Sequence, residues 1–286
     1  MSKNPTPDLT SELWHAIEPH LPPRPAHRPK GGHPFCDDEA ALRGIVYLLR
    51  EGCKWQSIPS AALDCPSGST CWRRFRDWTA TGVWPHAHLQ LLDLLGEAGV
   101  LDLDRIVVDS ASCRAREGGT HTGRNPTDRG KEGCKRHVLT DANGIPLVVQ
   151  TGPANQRDDT KLEDLIEAFP VLTDGDEAGT VHTQPKELMG DRGYGFPYLI
   201  AIVLLYGIVS KLSPRGKDVP HGSGPGEKRY VVERTMSWWT HFRGINLCYE
   251  RTGEHFQGLH ELATCIICAN KLRAARAENS TLAQAA

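Results

Sequence analysis

Three β-branched residues in a row, Ile106-Val107-Val108, are followed at once by a carboxylate, Asp109, and then by Ser110-Ala111-Ser112. A run this apolar reads as a strand with both faces covered. Asp109 therefore stands where the strand should leave the core. It is either the acceptor that caps a turn, for which Asp-Ser-Ala-Ser is well suited, or a ligand. A second place of the same kind is Leu188-Met189-Gly190-Asp191-Arg192-Gly193. Its glycines suit a turn with a local Asp–Arg pair, and equally admit close approach of a ligand to the backbone. Two acids at strand ends of one mixed sheet strengthen the second option, because two-metal sites draw their carboxylates from such places.

The remaining elements fill in around these strands. His137-Val138-Leu139-Thr140 and Ile145-Pro146-Leu147-Val148-Val149-Gln150 flank Asp141-Ala142-Asn143-Gly144, and the Asn-Gly pair marks a hairpin. Patterning predicts a helix over 160–169, a strand over 186–190, a helix over 197–206, a strand over 207–212 and a long helical section from about Lys228. The Gly- and Pro-rich stretch 213–227 reads as loop. Strand, hairpin, then alternating helix and strand is the order of a ribonuclease-H-like mixed sheet with flanking helices, an α/β fold.

Ahead of this lies a helical region. Leu13, Trp14, Ile17 and Leu21 mark a short amphipathic helix with Thr10 and Ser11 as N-cap candidates. A Pro/Gly-rich basic connector follows over 22–32. Asp37-Asp38-Glu39 opens a helix through Leu42, Ile45, Val46 and Leu49, the acids suiting its N-terminus. After the turn Lys54–Pro59, Ser69-Thr70 caps a helix carrying Trp72, Arg73, Arg74, Phe75, Arg76 and Trp78. Its three arginines suggest a helix-turn-helix-like DNA module, against the plainer possibility of a small bundle with a solvated Arg face. Trp72, Phe75 and Trp78/Thr79 form the expected core stripe.

A chain of 286 residues can bury one large domain and one small one. Its net charge of −2 hides local fields. Residues 207–251 carry eight Lys/Arg against four acids, and residues 158–177 carry eight acids against Lys161 alone. Basic surface of that kind is what phosphate contact needs. The odd count of nine cysteines, irregularly spaced, does not suit a disulfide framework. The C-x-x-C at Cys265/Cys268 lies in an apolar helical pattern with no partner pair, so it reads as buried helix rather than a zinc site. There is no signal-peptide pattern at Met1–Pro5 and no apolar run long enough to span a bilayer, which points to a cytoplasmic protein.

A third acid completes the set. Val232, Thr235/Met236, Trp239 and Phe242 make the buried stripe of the last region, with Glu233 on its flank. The plain alternative for Glu233 is an ion pair with Arg229 one turn earlier. Spacing alone does not separate Glu233 from Glu250 or Glu254.

At this point four segments together resemble the DDE transposases of bacterial insertion sequences, in the branch around insertion sequence family five. Arg50–Pro59 with Thr70–Trp78 resembles that family's N-terminal domain. Val108-Asp109-Ser110 resembles its first acidic motif, Gly190-Asp191-Arg192-Gly193-Tyr194 its second, and Val231–Trp238 with His241-Phe242-Arg243-Gly244 its third. The resemblance implies a catalytic and metal-binding triad of Asp109, Asp191 and Glu233, and selects Glu233 over its rivals. Of the wider group's Tyr, Arg, Glu, Lys signature, Arg229 and Glu233 match, while Gly226 and Thr240 stand at the Tyr and Lys positions. It further implies two Mg²⁺ (or Mn²⁺) ions, terminal inverted repeats and target DNA as partners, and a homodimer in the synaptic complex. The setting is the bacterial nucleoid, with no membrane. The expected division is 1–96 as a helical DNA-binding domain, 97–273 as the catalytic domain and 274–286 as a tail. Expected DNA contacts are Arg73, Arg74, Arg76, Arg114, Arg124, Lys135, Arg192, Arg229, Arg234 and Arg243, with 114–136 as a basic loop on the DNA backbone. One of Trp238 and Trp239 is a candidate to stack on an unpaired base, with Trp239 the better candidate for the core. The alternatives are a nuclease of the same fold that never joins strands and a domesticated DNA-binding protein.

Overall fold

The computed structural model describes residues 9–24, 35–172, 184–214 and 226–285, with the backbone alone for 226–229 and 282–285. Most of the 22–32 connector, the heart of the 213–227 loop and the Arg229 side chain lie outside the described residues.

Five strands make the central sheet: β1 (Arg105–Ala115), β3 (Glu132–Thr140), β4 (Pro146–Pro153), β5 (Glu187–Gly190) and β6 (Val209–Leu212). Short pieces β2 (Gly123–Arg124) and β7 (Leu247–Cys248) extend it. β3 runs antiparallel to both β4 and β1, and β5 and β6 continue from β1 in parallel. This is the ribonuclease-H-like sheet that the order of elements predicts. The hairpin joins β3 to β4 where Asn-Gly places it. Asp141, fully buried, organises the turn by accepting from Asn143 N at 2.9 Å and Asp102 N at 2.9 Å, and also from Ile145 N.

The helices before the sheet are α1 (Ser11–Ile17), α2 (Asp38–Glu51), α3 (Ser60–Leu63), α4 (Gly68–Ala80) and α5 (Val83–Glu97). Thr10 and Asp37 are the working N-caps of α1 and α2. The buried stripe of α4 is Cys71, Phe75 and Trp78, each fully buried. Trp72, placed in that stripe by spacing, lies one position off it and is half-exposed.

After the sheet begins come α6 (Leu162–Glu167), α7 (Pro197–Leu205), α8 (Gly226–Thr240), α9 (Arg243–Asn246) and α10 (Gly253–Ala285). The 160–169 helix is shorter than its pattern, because 158–161 is a 3-10 turn. α10 packs on α5, α1, α4 and β4, and one hydrophobic cluster runs from Leu13 of α1 through the sheet to Leu272. Cys265 and Cys268 sit inside this cluster, fully buried in α10. Among the described residues no helix is long and apolar enough to cross a membrane.

Candidate active site beside the central strands

Asp109 does not end its strand. β1 continues to Ala115 because β3 supplies a partner at every step, from Asp109↔Val138 to Arg114↔Gly133. What ends near Asp109 is the neighbour on the other side. β5 pairs with β1 only as far as Val107↔Met189 and stops at Gly190. Asp109 and Asp191 each lie two residues beyond that last matched pair, so two parallel neighbours carry them to the same level of the sheet. Both are half-buried.

The turn after β5 fixes the Asp191 carboxylate. Gly193 N donates to Asp191 Oδ1 at 2.7 Å. A Cβ at position 193 would stand 2.8 Å from that same oxygen, so the turn tolerates no side chain there without moving the carboxylate. The same point is 3.7 Å from Asp158 Oδ2, which brings a further acid beside Asp191. Asp158 accepts from Ser110 Oγ at 2.6 Å and from Lys135 Nζ at 3.0 Å. Next to them Tyr194 is 1% exposed, and burial followed by the charges of Asp158, Asp109 and Asp191 holds its hydroxyl far above the ordinary range. His137, fully buried with Nδ1 3.9 Å from Asp158, is pushed down to about 4, chiefly by burial, and is neutral near pH 7.

Side-chain alternation puts Asp109 on the face of β1 that it shares with Val107 and Ala111. Arg136, paired with Ala111, reaches 5.7 Å from the ring centroid of Trp239 in α8 on that face. The helix carrying Glu233 therefore lies on the side to which Asp109 points, packed on β1 and β3. Glu233 itself is solvent-exposed. The ligand oxygens of Asp109, Asp191 and Glu233 do not all fall within 4.8 Å of one another. Asp109 and Asp191 thus share one end of the sheet with Asp158, and Glu233 stands exposed on α8, which packs on β1 and β3.

Asp158 was missed by the sequence reading. It sits in the acidic stretch after β4, where its neighbours Asp159 and Asp164 pair locally with Arg157 and Lys161. Only the fold brings Ser110 and Lys135 to it, so no local signal marks it.

Arg73 and Arg76 are exposed on α4, where Arg73 donates to Thr70 Oγ1 at 3.2 Å and Arg76 pairs with Asp77 at 2.8 Å, and Arg124 and Arg192 are exposed near the sheet. Arg74 is drawn toward Asp38 at 3.7 Å. Arg114 pairs with Asp128, Arg243 with Glu51 at 3.2 Å, and Lys135 with Asp158. Arg234 donates to Asn143 O in the hairpin turn. The 114–136 segment is not a bare loop. Its two ends are strands of the sheet, and Asn125 and Asp128 tie its turn by backbone bonds. Trp239 is fully buried and Trp238 half-buried, with Lys271 Nζ 4.4 Å from the Trp238 ring centroid. Trp238 lines an open groove of about 460 Å³ with Arg50, Arg243 and Lys271.

Residues 9–88 match a family described as "Putative transposase of IS4/5 family", and residues 101–204 match "Transposase DDE domain". The chain is 45% identical over 121 residues to "Insertion element IS402 uncharacterized 16.2 kDa protein" of Burkholderia cepacia, a match covering 42% of this chain and 82% of the relative. It is 38% identical over 171 residues to "Putative transposase for insertion sequence element IS402" of the same organism, covering 60% of this chain and 77% of the relative. No solved structure matches the chain significantly.

Proposed function

Because the chain belongs to the IS4/5 family of insertion-sequence transposases and carries a DDE domain, we propose that it binds the terminal inverted repeats of its element, cleaves the DNA ends and joins the freed 3′-hydroxyl to target DNA. The observation that carries this reading is the common level of Asp109 and Asp191 on parallel neighbours, with α8 and Glu233 on the side to which Asp109 points.

Asp109, Asp191 and Glu233 are the residues that would hold the metal. Their donors are all carboxylate oxygens, the hard set that suits Mg²⁺ or Mn²⁺. When bound, two such ions supply charge stabilisation to both the attacking and the leaving oxygen of an in-line displacement. The protein's own part is positioning. Gly193 N–H aims Asp191, the β1–β3 pairing fixes Asp109, and Lys135 with Ser110 holds Asp158 in place beside Asp191.

Residues 1–96 serve as the DNA-binding part, 97–273 as the catalytic part and 274–286 as a tail. Arg73, Arg76, Arg124 and Arg192 are placed to meet phosphates directly, and Arg74, Arg114, Lys135, Arg229, Arg234 and Arg243 complete the basic surface. Trp238 is the aromatic available to an unpaired base. Two element ends are joined by a homodimer acting on bacterial DNA in the cytoplasm.

Binding and chemistry separate by mutation. With a duplex bearing the element end, Arg73→Ala/Arg76→Ala lowers the slope of log affinity against log salt by about two. Asp191→Asn leaves binding intact and removes cleavage. Loss of binding in Asp191→Asn, or cleavage at the parental rate, contradicts the assignment.

A further inference from the structure

Away from the carboxylates, the far end of the β1–β3 ribbon gathers a different set of donors. His121, Cys134 and Cys248 come from three separate segments: the β1–β2 connection, β3 and β7. Their ligand atoms all lie within 4.8 Å of one another, and His121 Nε2 is 3.3 Å from Cys248 Sγ. His121 is 9% exposed and both cysteines are fully buried. Cys113, the cross-strand neighbour of Cys134, packs against the same small cluster with Phe256, its sulfur lying outside the set that falls within 4.8 Å. His121 Nδ1 is buried with no hydrogen-bond partner among the described residues. Leaving that nitrogen unpaired costs on the order of 1–3 kcal/mol, so the ring owes its place to what Nε2 meets.

We propose that His121, Cys134 and Cys248, with Cys113 as fourth ligand, form a structural zinc site. Thiolates and an imidazole in one closed, buried cluster are the donor set of structural Zn²⁺, and the wrong set for Mg²⁺. Tetrahedral zinc, with Zn–S about 2.3 Å and Zn–N about 2.0 Å, spaces its ligand atoms roughly 3.5 Å apart. His121, Cys134 and Cys248 therefore need side-chain shifts on the order of 1 Å, and Cys113 a larger one to complete the tetrahedron.

The site has a structural purpose. β7 meets β1 over only two pairs, Arg114↔Leu247 and Ala115↔Cys248, with Arg116 N to Cys248 O at 2.9 Å beside them. β7 follows α8 and α9, so a metal here clamps the segment after Glu233's helix onto the strand that carries Asp109.

The test is the metal content of the full chain, purified under reducing conditions and dialysed against Mg²⁺. About one tightly held zinc per chain is expected. It is retained in Asp109→Asn and in Cys265→Ser, and lost in Cys134→Ser and Cys248→Ser. Because the cysteine variants can fail to fold, the parental protein is also reconstituted with Co²⁺, for which thiolate-to-cobalt charge-transfer absorption is expected. Three results overturn the proposal: substoichiometric zinc without a cobalt–thiolate band, a Cys134–Cys248 disulfide found by mass spectrometry in its place, or zinc retained in Cys248→Ser. None of these readouts depends on DNA cleavage, so failure here leaves the transposase reading standing.

Discussion

Lys135 and Asp158 show how single residues support the acids without being ligands. The Lys135 side chain, 13% exposed, brings Nζ to 3.0 Å from Asp158, and Ser110 Oγ meets the same oxygen from β1. Removing one partner leaves the other charge poorly compensated. Asp158→Asn is expected to lower unfolding free energy by about 1.5–3 kcal/mol in urea titrations. Lys135→Met in the same chain should recover part of that loss, as a double-mutant cycle with non-zero coupling. Strict additivity of the two changes would show that the pair does not hold this corner. Asp109 and Asp191 stood out in the sequence because short apolar runs, Ile106-Val107-Val108 and Leu188-Met189, lead toward them. Asp158 did not, because its partners arrive only through the fold.

Among the elements, α8 decides where Glu233 stands, and the hairpin turn decides where α8 stands. Gly144 has φ +79°, and a Cβ there would come within 3.0 Å of Val231 O and 3.1 Å of Thr235 Oγ1. Gly144→Ala therefore strains the turn and pushes on α8 together. A loss of about 1–3 kcal/mol is expected from the backbone alone, read as a lower denaturant midpoint, with DNA processing reduced more than folding. Unchanged activity in the folded variant would mean that Glu233's placement does not depend on this contact. The Asn-Gly signal made the hairpin readable, and the strands expected over 186–190 and 207–212 are β5 and β6. The outer half of β1 was not readable, since Ser110-Ala111-Ser112 has turn chemistry and becomes strand only because β3 pairs with it through Arg114↔Gly133. Pairing across about twenty residues leaves no local pattern. For the same reason the basic 114–136 segment looked like loop.

For the molecule as a whole, one continuous cluster joins the N-terminal helices, the sheet and α10, so acid that disturbs buried groups is felt as global stability. Burial lowers His88 to about 4, His137 to about 4 and His260 to about 3. Between about pH 6.5 and 4 the unfolded chain takes up protons at these sites that the folded chain refuses, so stability falls as pH falls through that window. Asp141, raised to about 6 by burial, acts in the opposite direction between about pH 6 and 4, because its folded form takes up a proton first. Three imidazoles outweigh one carboxyl. Urea unfolding at pH 4.5 should show a loss on the order of a few kcal/mol relative to pH 7. Equal stability at the two pH values would mean that these histidines are not held neutral by the fold.

The claim on which the function rests is that the acids flanking β1 and β5 serve strand joining. The direct measurement incubates the full chain with a duplex bearing the element end, a target plasmid and Mg²⁺, and then sequences the products. The expected result is a covalent junction between the element's 3′ end and the plasmid, absent with Asp109→Asn. Cleaved ends with no junction at any time would make this a nuclease of the same fold, and junctions undiminished in Asp109→Asn would remove Asp109 from the chemistry.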